Sequence, residues 1–142
     1  MRLAKRLPEI ERSNSFRTNL GKKVTLYVDT EFEDELFAFL GDKKNEKIKK
    51  KYRMIAELVV TGNANPSLYG HEQNSDKSKD VYAFKIKING NHRIYCKEFN
   101  DDSMNSKKIV LIEYKYKKTE GLNKELRNLV DKIGEYEYEF QE

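Results

Sequence analysis

This 142-residue chain has no tryptophan, one cysteine, two histidines and no long apolar run. Its one cysteine, Cys96, excludes an internal disulfide, and the isolated His71 and His92 lie at no metal-ligand spacing from it or from each other. A reducing compartment, with no structural metal and no cofactor, is the expectation. No stretch approaches the roughly 18 apolar residues of a membrane span, and the N-terminus lacks the apolar centre of a secretory signal. A cytoplasmic protein with no membrane partner is therefore expected. Hydrophobic residues make up 37% of the chain, the same share as charged residues, so the core must be thin and drawn from short periodic segments. The length suits one domain.

Charge is present in unequal blocks. The net charge of +4 divides into +5 over residues 1–23, −2 over 24–80, +5 over 81–118 and −4 over 119–142. Two basic blocks and an acidic end are what a polyanion-binding surface needs, because lysine and arginine replace condensed counterions whatever the sequence bound. The plain alternative is solubilising surface charge.

Residues 1–22 form a basic N-terminal extension in which Leu3, Leu7 and Ile10 could line one side of a short helix. Over Lys23–Val28 the residues Val24, Leu26 and Val28 alternate with Thr25 and Tyr27, the period of a strand. Asp29 or Thr30 can cap a helix that puts Phe32, Leu36, Phe37 and Leu40 on one face and ends at Gly41. A second helix follows with Ile48, Tyr52, Ile55, Ala56 and Val59 inward, and its lysines at 43, 44, 47, 49, 50 and 51 form a solvated face or a phosphate-contacting one. Residues 62–80 are rich in turn formers and read as a loop anchored by Leu68 and Tyr69. Three strand-like runs come next, Val81–Ile88, His92–Phe99 and Lys108–Lys117, with a loop at Asn100–Ser106. Leu122, Leu126, Leu129, Val130 and Ile133 mark a last helix closed by Gly134. The order βααβββα predicts an α+β fold, a small, antiparallel-dominated twisted sheet packed by two N-terminal helices and one C-terminal helix. The acidic-aromatic tail, residues 135–142, could add an edge strand, extend the helix or stay solvated. Self-association or covering of a basic surface is conceivable for it.

The hairpin "KIKINGNHRIYC" raises a question of charge. Tyr82, Phe84, Ile86 and Ile88 share one face of its first strand, leaving Ala83, Lys85 and Lys87 on the other. In the second strand Ile94 and Cys96 face the core, which sends Arg93, Tyr95 and Lys97 the opposite way. A two-residue turn would set core against charge, whereas a three-residue loop of Asn89, Gly90 and Asn91 pairs Lys87 with Arg93, Lys85 with Tyr95 and Ile86 with Ile94. Cations then crowd one face, at a cost of a few tenths of a kcal/mol up to about 1 kcal/mol per like-charged pair. A bound polyanion would reverse the sign. In the third run the strand begins apolar on both faces and ends basic, bringing Lys115, Lys117 or Lys118 toward the same cluster, with Glu113 and Tyr114 nearby. The bland account is that alternating lysines solvate a sheet face.

Taken in order, two helices, the loop "SLYG" (67–70), "FKIKINGNHRIY", "IVLIEYKYKKT" and a closing helix resemble the RelE-like toxin superfamily, especially its HigB or phage Gp49-like branch. The resemblance covers about residues 23–134. It implies a ribosome-dependent endoribonuclease that cuts mRNA without metal and is silenced by a cognate antitoxin, a helix-turn-helix protein by expectation. By position, Lys85 and Lys87 match the lysines of the family's substrate strand, Arg93 its phosphate-binding arginine, and Lys117 and Lys118 the basic pair after the next strand. Arginine is frequent at the second of those places, and lysine there keeps the charge without the bidentate fork. Attack of a 2′-hydroxyl on the adjacent phosphate needs a proton acceptor, a proton donor and positive charge on the developing dianion. Lys85 or Lys87 is the candidate base, Lys117 or Lys118 the candidate acid, and Arg93 the charge stabiliser. Tyr95 could stack on a base, and Lys97, Lys115 and His92 could contact RNA. His92 points away from Arg93 by parity. A non-nucleolytic inhibitor of RelE or ParE fold, and a plain RNA-binding domain, are the alternative readings.

Overall fold

Strand periodicity and two amphipathic stripes account for most of the architecture. The computed structural model describes residues 1–7, 22–118 and 123–142. Its elements are β1 (Arg2–Arg6), β2 (Lys23–Asp29), α1 (Glu33–Gly41), α2 (Glu46–Val60), β3 (Tyr69–His71), β4 (Val81–Ile86), β5 (His92–Asp101), β6 (Ser106–Tyr116), α3 (Lys124–Gly134) and β7 (Tyr138–Gln141). Short 3-10 turns lie at Lys43–Asn45 and Asp76–Ser78. The seven strands form one sheet in the order β3-β4-β5-β6-β2-β1-β7, antiparallel except where β2 meets β6 and β1 meets β7. The protein is thus α+β with a mainly antiparallel sheet. The segments read from periodicity are present with shifted ends: β4 stops at Ile86, not Ile88, β5 runs on through Asn100 and Asp101 and β6 begins at Ser106, so the loop between them is shorter than Asn100–Ser106. Leu122 lies outside the described residues, and β1, β3 and β7 are added.

Both faces of the sheet are covered. Leu36 and Leu40 of α1 and Ile48, Ile55, Ala56 and Val59 of α2 pack with Leu26, Val28, Phe84, Ile86, Ile94, Cys96, Ile109 and Leu111 on one face. Leu126, Val130 and Ile133 of α3 pack with Tyr27, Val81, Ala83, Tyr95, Val110 and Ile112 on the other. The stripe of α2 is buried as its spacing requires. On α1, Phe37 is instead exposed, and Phe39 packs against Tyr114 with ring centroids 4.2 Å apart. Asp29 does not cap α1: its Oδ1 accepts from the backbone N–H of Glu31, and Phe32 stands at the helix start without a side-chain cap. At the other end of the chain, the Asn123 side chain accepts from the Leu126 N–H and caps α3.

Residues Arg2–Arg6 form a strand and not a helical turn, and Ile10 lies outside the described residues. Backbone pairing decides this. Leu3 accepts from Thr30, Leu7 donates to Leu26, and β1 thereby completes the open edge of β2. Of the alternatives for the tail, the edge strand is what forms: β7 pairs in parallel with β1, from Arg2 opposite Tyr138 to Lys5 opposite Gln141. The fully buried Asp29 ties these strands together, its Oδ2 accepting from Arg2 Nε and from the Tyr138 hydroxyl, each at 2.7 Å. That carboxylate pushes the Tyr138 pKa up, second to burial. It also raises the pKa of Arg2 in spite of the partial burial that opposes it.

Candidate functional site

Register places three cations in a row. Lys85 of β4 is opposite Arg93 of β5, and Arg93 is opposite Lys115 of β6, so the three share one face, the face α3 covers further along the strands. The hairpin loop spans residues 87–91, longer by two than a loop of Asn89, Gly90 and Asn91. Lys85 consequently faces Arg93 and not Tyr95, and Phe84, not Ile86, faces Ile94. A slip of two residues keeps every side chain on its face, so the apolar pattern is blind to it. Lys87 sits exposed in the loop, past the end of β4.

The row has a floor and an acidic neighbour. Gly70 pairs with Ala83, so two small residues lie beside Lys85, and Ala83 pairs in turn with Tyr95. A Cβ on Gly70 would overlap the Lys85 ammonium, so the missing side chain is what lets Lys85 fold across β3. From the same short strand's end, Glu72 accepts from Arg93 Nη1 at 3.2 Å, with both side chains largely out of water. Among the described residues neither Arg93 Nε nor the Tyr95 hydroxyl finds a hydrogen-bond partner. Such buried orphans cost about 1–3 kcal/mol each. Burial, then the charge of Glu72, pushes the Tyr95 pKa up to about 12, while Arg93 works to lower it.

A bulge in β6 brings Lys115 into the row. The pairing runs from Arg93 with Lys115 to Tyr95 with Glu113, then jumps to Cys96 with Leu111. The extra residue, Ile112, turns Glu113 and Lys115 to the face of Arg93 and turns Tyr114 and Tyr116 to the face of His92. Lys115 and Glu113 are 3.7 Å apart and about a third exposed. Lys117 follows the end of β6, largely buried, its N–H donating to the Asn91 carbonyl, and Lys118 is exposed.

The remaining candidates lie elsewhere. Tyr95 is fully enclosed and offers no ring face to a base. Lys97 is four residues from Arg93 along β5, where its ammonium donates to the carbonyls of Gly134 and Tyr136, both at 2.8 Å, and caps the end of α3. Burial lowers the Lys97 pKa, with Asp80 and Glu137 opposing. His92 is on the other face, as parity requires, with Nδ1 2.7 Å from the Tyr114 hydroxyl and its ring beside Phe39. Its Nε2 is buried without a partner among the described residues. Sequence reasoning missed Gly70 and Glu72. The one signal was alternation in "YGHE", too short to separate from the surrounding turn formers. No group of three or more His, Cys, Asp or Glu side chains among the described residues could hold a metal ion, and no described helix is long and apolar enough to cross a membrane. Comparison with protein-family models, with curated proteins and with solved structures finds no match to the chain.

Proposed function

We propose that the protein is a metal-independent endoribonuclease of the RelE-like, HigB-like kind, the toxin of a toxin-antitoxin pair that cuts mRNA on the ribosome. The in-register row of Lys85, Arg93 and Lys115 carries this reading. Glu72 at 3.2 Å from Arg93 and Glu113 at 3.7 Å from Lys115 offset two of the three charges, and the positive charge left in excess on this row would attract a phosphodiester seated there. Arg93, held by Glu72 and with Nε unused, would donate to the phosphorane that forms when the 2′-hydroxyl attacks. Lys85, opposite Arg93 in register, is the candidate acceptor of the 2′-hydroxyl proton. Lys115, or Lys117 beyond it, is the candidate donor to the leaving 5′-oxygen, with Lys87 and Lys118 as exposed RNA contacts. An mRNA partner on the ribosome and a helix-turn-helix antitoxin belong to this reading, as does a cytoplasmic setting.

One observation favours a second reading. The Arg93 guanidinium is engaged by Glu72, which suits a non-nucleolytic inhibitor or an RNA-binding member of the same fold. Induced expression separates the two. The nuclease reading expects growth arrest with cleavage of translated mRNA, and Lys85→Ala and Lys115→Ala, each folded by circular dichroism, should slow cleavage about a hundredfold, the range lost with a general acid or base. Growth arrest with intact mRNA would replace the nuclease with the inhibitor, and no arrest with RNA bound would leave the binder.

A further inference from the structure

A second cationic feature lies on the same face, at the far end of the sheet. Phe99 is six residue steps along β5 from Arg93, about 20 Å at strand rise, and α3 crosses between them over Tyr95, Val110 and Ile112. Around Phe99 is a cavity of about 540 Å³ whose walls include Arg6, Tyr27, Lys108, Phe140 and Glu142. Register explains the grouping. Arg6 pairs with Tyr27, and Thr25 with Lys108, which pairs with Phe99, so side chains of β1, β2, β6 and β5 stand side by side. The aromatic rings meet edge to face, Tyr27 with Phe140 at 4.9 Å and Phe99 with Phe140 at 5.4 Å. The Lys108 ammonium lies 4.5 Å from the centre of the Phe140 ring.

The Glu142 carboxylate occupies the cationic side of this cavity. One oxygen accepts from the Tyr27 hydroxyl at 2.8 Å and stands 3.9 Å from Lys108 Nζ, and the other accepts from Arg6 Nη1 at 3.3 Å. Two donors and an ammonium, from three strands, thus converge on one anion, beside Phe99 and Phe140 rings only partly covered. Arginine, lysine and a tyrosine hydroxyl are donors suited to a phosphate, and an aromatic floor with adjacent cations is how proteins hold a base and its phosphate together. Lys23 adds positive charge to the lining and Asp101 a second carboxylate, while Lys107 is paired with Glu98 at 3.1 Å.

We propose that this cavity binds a nucleotide, its base against Phe99 and Phe140 and its phosphate in the place of the Glu142 carboxylate, and that Glu142 competes for that place. The volume is within the usual span of about 300–1,000 Å³ for small-ligand sites. The phosphate could belong to a free nucleotide or to single-stranded RNA, and both have the chemistry described. Nothing in this inference requires the Arg93 row to cut RNA.

Titration of the full chain with uridine 5′-monophosphate, and separately with penta-uridylate, followed by two-dimensional NMR, tests the proposal. Backbone shifts should centre on Thr25, Phe99, Lys108 and Phe140. Glu142→Gln, which keeps the shape and removes the competing charge, should tighten binding about three- to tenfold, and Lys108→Ala should weaken it about tenfold. Penta-uridylate binding at least tenfold tighter than the monophosphate identifies a strand as the source, and equal affinity identifies a free nucleotide. Absence of shifts at these residues with both probes overturns the proposal, as does an unchanged affinity in Glu142→Gln. Shifts produced only by an acidic-aromatic peptide, and by neither nucleotide, overturn it in favour of a protein partner. A wild type that binds here yet cuts no RNA leaves this site standing and removes the nuclease reading, whereas cleavage without shifts here does the reverse.

Discussion

Arg93 and Glu72 hold an ion pair at 3.2 Å with side chains 6% and 10% exposed, so neither charge can be removed alone without stranding the other. Breaking such a pair costs about 3–5 kcal/mol, whereas replacing both partners by apolar side chains of similar size is often neutral. Arg93→Ala is therefore expected to lower stability by about 3 kcal/mol, visible as a lower urea midpoint at unchanged slope. The pair Arg93→Met with Glu72→Leu should recover most of that loss. Cleavage, if the cation row performs it, stays absent in both. A double variant that regains stability and also regains cleavage would remove Arg93 from the chemistry, which loss of function in Arg93→Ala alone cannot decide.

At the scale of elements, α3 depends on a close approach. Gly134 ends the helix against the 3-10 turn Asp76–Ser78, where an added Cβ would overlap the Lys77 carbonyl. Asp131 fixes that approach by accepting from the hydroxyls of Ser75 and Ser78 and from the Asn74 amide, at 2.7 to 2.8 Å. Backbone held this way cannot retreat cheaply, so Gly134→Ala should cost about 1–3 kcal/mol by overpacking and speed hydrogen exchange in α3. An unchanged unfolding midpoint would show that the turn yields. The periodic elements were legible in the sequence because packing wrote them there: α2, α3, β2 and the three strands after residue 80 each bury a stripe or alternate face. β1, β3 and β7 are three to five residues long, and what forms them is backbone pairing to a sheet edge, which leaves little side-chain pattern. For the site, parity correctly put Lys85 and Arg93 together and His92 apart. Register in steps of two, the bulge at Ile112 and the reach of Glu72 from β3 are tertiary facts with no period to read.

Across the whole molecule, five wholly or partly buried tyrosines share one response to pH. Tyr69, Tyr82, Tyr95, Tyr114 and Tyr138 all have pKa values pushed up, with burial the first cause in each. Glu98, for Tyr69 and Tyr82, and Asp29, for Tyr138, add to it. Tyrosine is neutral when protonated, and the folded state favours that form, so each group stabilises in full below its unfolded pKa of about 10. That share fades as the pH climbs through the folded value, because the unfolded chain then releases its protons more readily than the native one. Thermal stability should accordingly hold through neutral pH and fall above about pH 10, with tyrosinate absorbance rising together with the loss of far-UV circular dichroism. Two substitutions separate the causes. Tyr138→Phe removes a hydroxyl bonded to Asp29, and should cost about 1.5–3 kcal/mol at neutral pH while flattening the alkaline fall. Tyr95→Phe removes a hydroxyl with no partner among the described residues, so it should flatten the same fall with no loss at neutral pH. A large neutral-pH loss in Tyr95→Phe would mean that its hydroxyl is bonded in solution.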